Sequence, residues 1–196
     1  MDILNNRYIE ALSRNKHEEA GGLQRYLFLD IDGVLNTARY SNYLIDHDED
    51  EVDEDGALFD PEAVYNLTCI LEKVPDVKII ISSTWRLKGW EWMLRLWVKR
   101  KLPGTIFSFT PILEVVCFVD NINRKDTTSV YPIGTRGLEI NEWLRNNASL
   151  NPYSYKYVIL DDDKDLLLRQ QDNFILTDPF YGITKETVVK ALEILL

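Results

Sequence analysis
Tyr26-Leu27-Phe28-Leu29-Asp30-Ile31-Asp32-Gly33-Val34 is the stretch on which the fold turns. Its first four residues form a short continuous apolar run, which suits a strand buried on both faces of a parallel sheet. That run stops at Asp30, and a second carboxylate, Asp32, follows at once beyond Ile31. The same succession of apolar strand and polar junction recurs further on. Val77-Lys78-Ile79-Ile80-Ile81 runs into Ser82-Ser83-Thr84-Trp85-Arg86, and Tyr157-Val158-Ile159-Leu160 runs into Asp161-Asp162-Asp163-Lys164-Asp165.

Helical patterns lie between these strands. Asp60-Pro61-Glu62 supplies an N-cap, a first-turn proline and an early acid, and Val64, Leu67 and Leu71 follow at helical spacing. Residues 86–100 predict a helix with Trp90, Met93, Leu94, Trp97 and Val98 on one face, stopped by Pro103-Gly104. We read this tryptophan-rich stripe as core rather than as a base-stacking platform. Residues 105–109 and 115–119 are weaker strand candidates separated by Thr110-Pro111, and residues 121–134 read as polar loop. Residues 137–146 predict a helix with Ile140, Trp143 and Leu144 inward. Phe174-Ile175-Leu176 predicts a last strand, and Thr184 caps a closing helix with Val188, Val189, Leu192 and Leu195 apolar. Alternation of this kind implies an α/β fold, an open and mostly parallel central sheet with helices on both faces.

The chain has 196 residues, 45% of them hydrophobic, and five Trp, enough for one substantial core. Residues 2–19 predict a modest helix, with Ile3, Tyr8, Ile9 and Leu12 on related faces, ended by Gly21-Gly22. The expected organisation is a helical appendage over residues 1–22 and one domain over residues 23–196. No run approaches the ~18 apolar residues of a membrane span, and the first residues lack the build of a secretory signal. The expectation is a cytoplasmic protein, with Cys69 and Cys117 as buried reduced thiols rather than a disulfide or a zinc site.

A formal net charge of −10 disfavours stable complexes with long nucleic acid or anionic membranes. Much of the excess lies in residues 46–55, which read as a solvated loop, since the EF-hand spacing of Gly and Glu is missing.

In open α/β sheets ligands bind outside the carboxyl ends of strands, so the three polar junctions are where chemistry is expected. Asp30, Asp32, Asp161 and Asp162 converging on one sheet edge would repel, and a bound cation is the simplest compensation. Oxygen-only ligands point to a hard ion such as magnesium. A carboxylate can act as nucleophile through an aspartyl-phosphate, and a second can protonate the leaving group and then activate water. A hydroxyl such as Ser82 and a nearby cation can stabilise the transferring phosphoryl group. Arg124, Lys125 and Arg136 all lie between the second and third junctions and are the candidates for that cation. Arg136 is preferred, because a cation at a helix N-terminus opposes the macrodipole unless an anion sits there. Trp85 reads as packing, and Arg86 either reaches the site or begins the following helix.

These residues resemble the haloacid dehalogenase (HAD) superfamily of phosphotransferases. Asp30-Ile31-Asp32-Gly33-Val34 resembles its first motif, Ile80-Ile81-Ser82 its second, a basic residue before a helix its third, and Leu160-Asp161-Asp162 its fourth. Residues 81–86, Arg136-Gly137-Leu138-Glu139-Ile140, Trp143-Leu144, residues 158–163 and Gly182-Ile183-Thr184 are similar to the phosphatase-like domains associated with "Swiss Army knife" RNA-repair proteins. The resemblance implies a three-layer Rossmannoid fold and a Mg2+-dependent phosphomonoester hydrolase. It implies Asp30 as nucleophile and metal ligand, and Asp32 as general acid/base that also offers its main-chain carbonyl to the metal. Ser82, with Ser83 beside it, and Arg136 would bind the substrate phosphate. Asp162 is favoured over Asp161 as the further metal ligand, with Asp165 in an outer position.

Neither interval between motifs is long enough for a large cap domain, so an open site is expected, suited to a bulky or nucleic-acid terminal phosphate. The alternatives are a small-molecule or nucleotide phosphatase of the same mechanism, and a non-catalytic interaction protein on the same fold. Competing chemistries are missing their motifs: there is no Walker loop, no Gly-x-Gly-x-x-Gly and no Gly-x-Ser-x-Gly. His17 and His47 sit in polar contexts unsuited to a triad. Arg124 stands one position too far from Cys117 for a Cys-x5-Arg thiolate loop.

Overall fold
The structure, a computed structural model, describes residues 22–113, 115–117, 129–131 and 136–196. The expected N-terminal helix, Arg124 and Lys125 lie outside the described residues. Along the chain come β1 (Gln24–Leu29), α1 (Ala38–Asp46), β2 (Val52–Asp53), β3 (Gly56–Ala57), α2 (Pro61–Lys73) and β4 (Lys78–Ile81). Then follow α3 (Trp90–Lys99), β5 (Ile106–Phe109), β6 (Val115–Cys117), β7 (Ser129–Tyr131) and α4 (Arg136–Asn147). The last elements are β8 (Tyr155–Asp161), β9 (Phe174–Leu176) and α5 (Lys185–Leu195).

The main sheet has the order β5-β4-β1-β8-β9, with every neighbouring pair parallel. Successive side chains of a strand point to opposite faces, and both faces of this sheet are covered. Leu27, Leu29, Ile79, Ile81, Val158 and Leu160 face one core, filled by Leu67 and Ile70 of α2, Met93 and Trp97 of α3, and Ala191 and Leu195 of α5. Tyr26, Phe28, Ile80 and Ile159 face the other, where α4 supplies Ile140 and Trp143. The Trp143 ring meets Phe28 edge-on at 5.4 Å and Tyr26 at 5.1 Å, and its indole N–H donates to Ser108 Oγ at 2.8 Å. This arrangement is the expected three-layer α/β fold, and it explains why β1, β4 and β8 read as unbroken apolar runs.

Three local expectations are corrected. The helix predicted over residues 86–100 begins at Trp90, because Ser83 caps a 3-10 turn over Thr84–Lys88 and Gly89 then takes φ +94°. Its buried face is Met93, Leu96 and Trp97, while Leu94 and Val98 point outward. Residues 46–55 are not simply a solvated loop. They include the end of α1 and the start of the β2–β3 hairpin, in which Asp53, Glu54 and Asp55 all pair with Lys99 of α3 at 2.5–3.0 Å. Finally, residues 129–131, read as loop, pair as β7 antiparallel to β6. Cys69 is free and half-buried. Among the described residues no helix is long and apolar enough to cross a membrane.

Candidate active site
Strand register assembles the site. Leu29 is level with Ile81 on one side and Leu160 on the other, so the next residues, Asp30, Ser82 and Asp161, emerge side by side at the carboxyl edge. Backbone bonds extend the ladder to this level: Asp30 N–H donates to the Leu160 carbonyl at 3.0 Å and Ser82 N–H to the Leu29 carbonyl at 3.0 Å. The chain leaves β1 for β4 and β5, then returns to β8 on the opposite side, so β1 marks the topological switch point where a crevice forms.

Asp30 and Asp161 are buried, and Asp162 is half-buried. Carboxylate oxygens of all three lie within 4.8 Å of one another. Burial pushes Asp161 up to about 7, opposed by Arg136 and reinforced by Asp30. Burial likewise raises Asp30, against Arg136 and the Ser83 hydroxyl, and it raises Asp162 with help from Asp30. All three move upward chiefly because burial disfavours the ionised form, with neighbouring carboxylates adding to it. Asp161 Oδ1 accepts from the Asp163 amide at 3.0 Å, whereas its Oδ2 is buried without a hydrogen bond among the described residues. An all-oxygen, multiply acidic donor set fits a hard divalent cation. The only other acidic group of this kind among the described residues, Asp53, Glu54 and Asp55, is already balanced by Lys99 and Arg100.

Arg136 stands at the first turn of α4 and reaches into this cluster. Its Nη1 donates to Asp30 Oδ1 at 3.2 Å and to the Ser82 carbonyl, and its Nε faces Asp161 Oδ2 at 3.3 Å. Its backbone N–H donates to Asp165 Oδ2 at 3.0 Å, so a carboxylate from the segment after β8 caps the helix. The positive helix end is thus already met by an acid, and the guanidinium is free to serve the cluster. Ser82 is fully buried, and its hydroxyl oxygen has no hydrogen-bond partner among the described residues. Ser83 is equally buried, with its hydroxyl accepting from Trp85 N–H at 3.3 Å.

Residues 26–188 match the family described as the HAD domain in Swiss Army Knife RNA repair proteins. The chain belongs to this family. No curated protein and no solved structure matches it. Family membership makes the chain a HAD-superfamily phosphatase, and its mostly parallel five-stranded sheet has the corresponding Rossmannoid form.

Within this HAD domain, Asp32 differs from the other three carboxylates. It is exposed, and its side chain lies outside the group of Asp30, Asp161 and Asp162. Asn36 Nδ2 donates to its Oδ1 at 2.7 Å, and Trp85 Nε1 donates to its Oδ2 at 2.8 Å. Reading Trp85 as packing accounts for its ring and overlooks its N–H. Arg86 does not simply begin the helix either: it donates to the carbonyls of Ser82, Ser83 and Thr110 at 2.5, 2.7 and 3.2 Å. Its Nη2 pairs with Glu139 Oε2 at 2.5 Å, both side chains being buried. The sequence assigns no role to Asn36 or to Glu139, the latter standing only within the quoted stretch 136–140, although each lies three or four residues from a singled-out residue, Asp32 and Arg136.

Proposed function
We propose that this HAD domain is a magnesium-dependent phosphomonoester hydrolase working through an aspartyl-phosphate on Asp30. The observation that carries this reading is the side-by-side emergence of Asp30, Ser82 and Asp161 at the switch point, with the Arg136 guanidinium drawn onto Asp30 and Asp161. The carboxylates of Asp30, Asp161 and Asp162, with the main-chain carbonyl of Asp32, would hold the metal. When bound, magnesium neutralises charge on the phosphoryl oxygens and on the surrounding carboxylates.

The protein's own groups carry the steps. A carboxylate oxygen of Asp30 attacks phosphorus, and the bond to the leaving oxygen breaks as Asp32 delivers its proton there. Water then attacks the aspartyl-phosphate while Asp32 takes back a proton; the bond to Asp30 breaks and inorganic phosphate departs. Arg136, together with the hydroxyls of Ser82 and Ser83, binds the phosphoryl oxygens, whose charge is spread through the transfer. The partnerless Ser82 hydroxyl supports this role, since a buried polar atom without a partner is costly unless a ligand satisfies it.

The substrate is a bulky phosphorylated end, a nucleic-acid terminal phosphate in particular. Two observations support this: the RNA-repair proteins named in the family description, and a first interval whose described residues hold only α1 and a two-stranded hairpin before α2. Turnover of a nitrophenyl phosphate, phosphorylated oligonucleotide ends and mononucleotides, with and without magnesium, tests both parts. Asp30→Asn is expected to lower kcat by roughly 10³-fold or more, and chelation is expected to abolish turnover until magnesium is restored. Wild type and Asp30→Asn equally inert across a broad phosphoester panel would sink the enzymatic reading. Preference for mononucleotides would redirect it to a small-molecule phosphatase.

A further inference from the structure
We propose that Trp85 is the positioning residue for the acid/base carboxylate, its indole N–H aiming Asp32 at the leaving oxygen. This rests on the reading of Asp32 as acid/base. An exposed carboxylate just past a strand end has several rotamers open to it, and proton delivery requires one of them. Two donors select it here. Trp85 Nε1 takes Oδ2 at 2.8 Å and Asn36 Nδ2 takes Oδ1 at 2.7 Å, while Asn36 Oδ1 accepts Gly33 N–H at 3.0 Å and so orients the amide. A carboxylate offers about four lone-pair sites, so each oxygen keeps one for the travelling proton.

Trp85 itself is held firmly. Its ring packs against Phe59 at 5.7 Å and Trp92 at 5.9 Å, and Lys88 Nζ lies 5.1 Å from its centroid. On the hairpin side Gly56 leaves the room it needs, since a Cβ there would come within 3.1 Å of the ring. The residue also belongs to the turn that follows β4, and its backbone N–H donates to Ser83 Oγ. Packing alone would be served by phenylalanine. The N–H is what packing leaves over, and Asp32 is its partner. The phosphate-binding hydroxyls and the hold on the acid therefore come from one turn, clamped beneath by Arg86, and the distance between them is set by a single rigid piece of chain.

Leaving-group dependence tests this without relying on overall rate. Nitrophenyl phosphates depart with little protonation, whereas alkyl phosphates require it. With magnesium present, Trp85→Phe is expected to lower kcat/KM, which reports aspartyl-phosphate formation and leaving-group departure alone, roughly 10- to 100-fold on alkyl phosphates and little on nitrophenyl phosphate. In an Asp32→Asn background the same substitution is expected to cost nothing further. Should Trp85→Phe unfold, benzothienylalanine placed at position 85 keeps the ring shape and removes only the N–H. A loss of kcat/KM equal across leaving groups, no loss, or a gain would overturn the assignment of Trp85 while leaving Asp32 intact. If Asp32→Asn itself shows no leaving-group dependence, the acid/base reading falls, and the role of Trp85 with it.

Discussion

Gly33 is where the site depends most on a missing side chain. It turns at φ +64°, and a Cβ there would fall 2.2 Å from Asp162 Oδ2. The turn after β1 thus brings the first acidic junction directly under the last one. Gly33→Ala would carry left-handed strain of roughly 1–2 kcal/mol and would push Asp162 out of its place beside Asp30. The expected outcome is a lower melting temperature together with weakened magnesium binding, read by calorimetric titration. A variant that melts lower yet binds magnesium normally would mean that Asp162 is not a ligand.

Among the elements, α4 and the turn after β4 are joined by the Arg86–Glu139 pair, buried on both sides. Burial pulls the Arg86 guanidinium below its ordinary value and Glu139 opposes that pull. Glu139 lies one turn along α4 from Arg136, and the pair therefore sets how far Arg136 reaches toward Asp30. Glu139→Ala leaves an uncompensated buried charge, expected to cost about 3–5 kcal/mol in denaturant unfolding and to reduce turnover. Arg86→Met with Glu139→Leu removes both charges and should recover much of that stability. Recovery of stability without activity is the expected signature of a strut whose value lies in positioning.

At the scale of the whole molecule, acidity governs the lower pH limit. Burial raises Asp60, but the Thr37 hydroxyl, Arg39 and the Glu62 amide outweigh it and hold the carboxyl below its usual value. Asp60 caps α2 and ties α1 to it. For Asp53, burial is outweighed by the Asp55 amide, Lys99 and Arg100, which bring it down to about 2. A folded value below the unfolded one means stabilisation that is whole above about pH 4 and disappears as pH falls through 2. Melting curves of wild type and Asp53→Asn should therefore differ at pH 5 and converge near pH 2. A gap that persists at pH 2 would place the stabilisation elsewhere than in the ionised carboxylate. With a net charge of −10, the hairpin's acids are tolerated because Lys99 at the end of α3 and Arg100 capping it stand against them.

The strands and their polar junctions were legible because a strand buried on both faces needs an unbroken apolar run, and Tyr26 to Leu29, Ile79 to Ile81 and Val158 to Leu160 provide one each. The α/β class, the helices capped by Asp60 and Thr184, and the membership carried by Asp30 and Asp32 followed from local pattern alone. Other features depend on residues far apart in the chain. Gly89 and the cap at Ser83 shortened a helix that periodicity alone extends to residue 86. The β2–β3 hairpin needed Lys99 to neutralise its acids. The partners of Asp32, Arg86 and Arg136 arise only when β1, β4 and β8 pair in register, since hydrogen bonding and charge act across space. Sequence by itself determined which residues stand at the ends of the strands. Tertiary structure decided which of them touch: Trp85 on Asp32, Arg136 between Asp30 and Asp161, and Gly33 beneath Asp162.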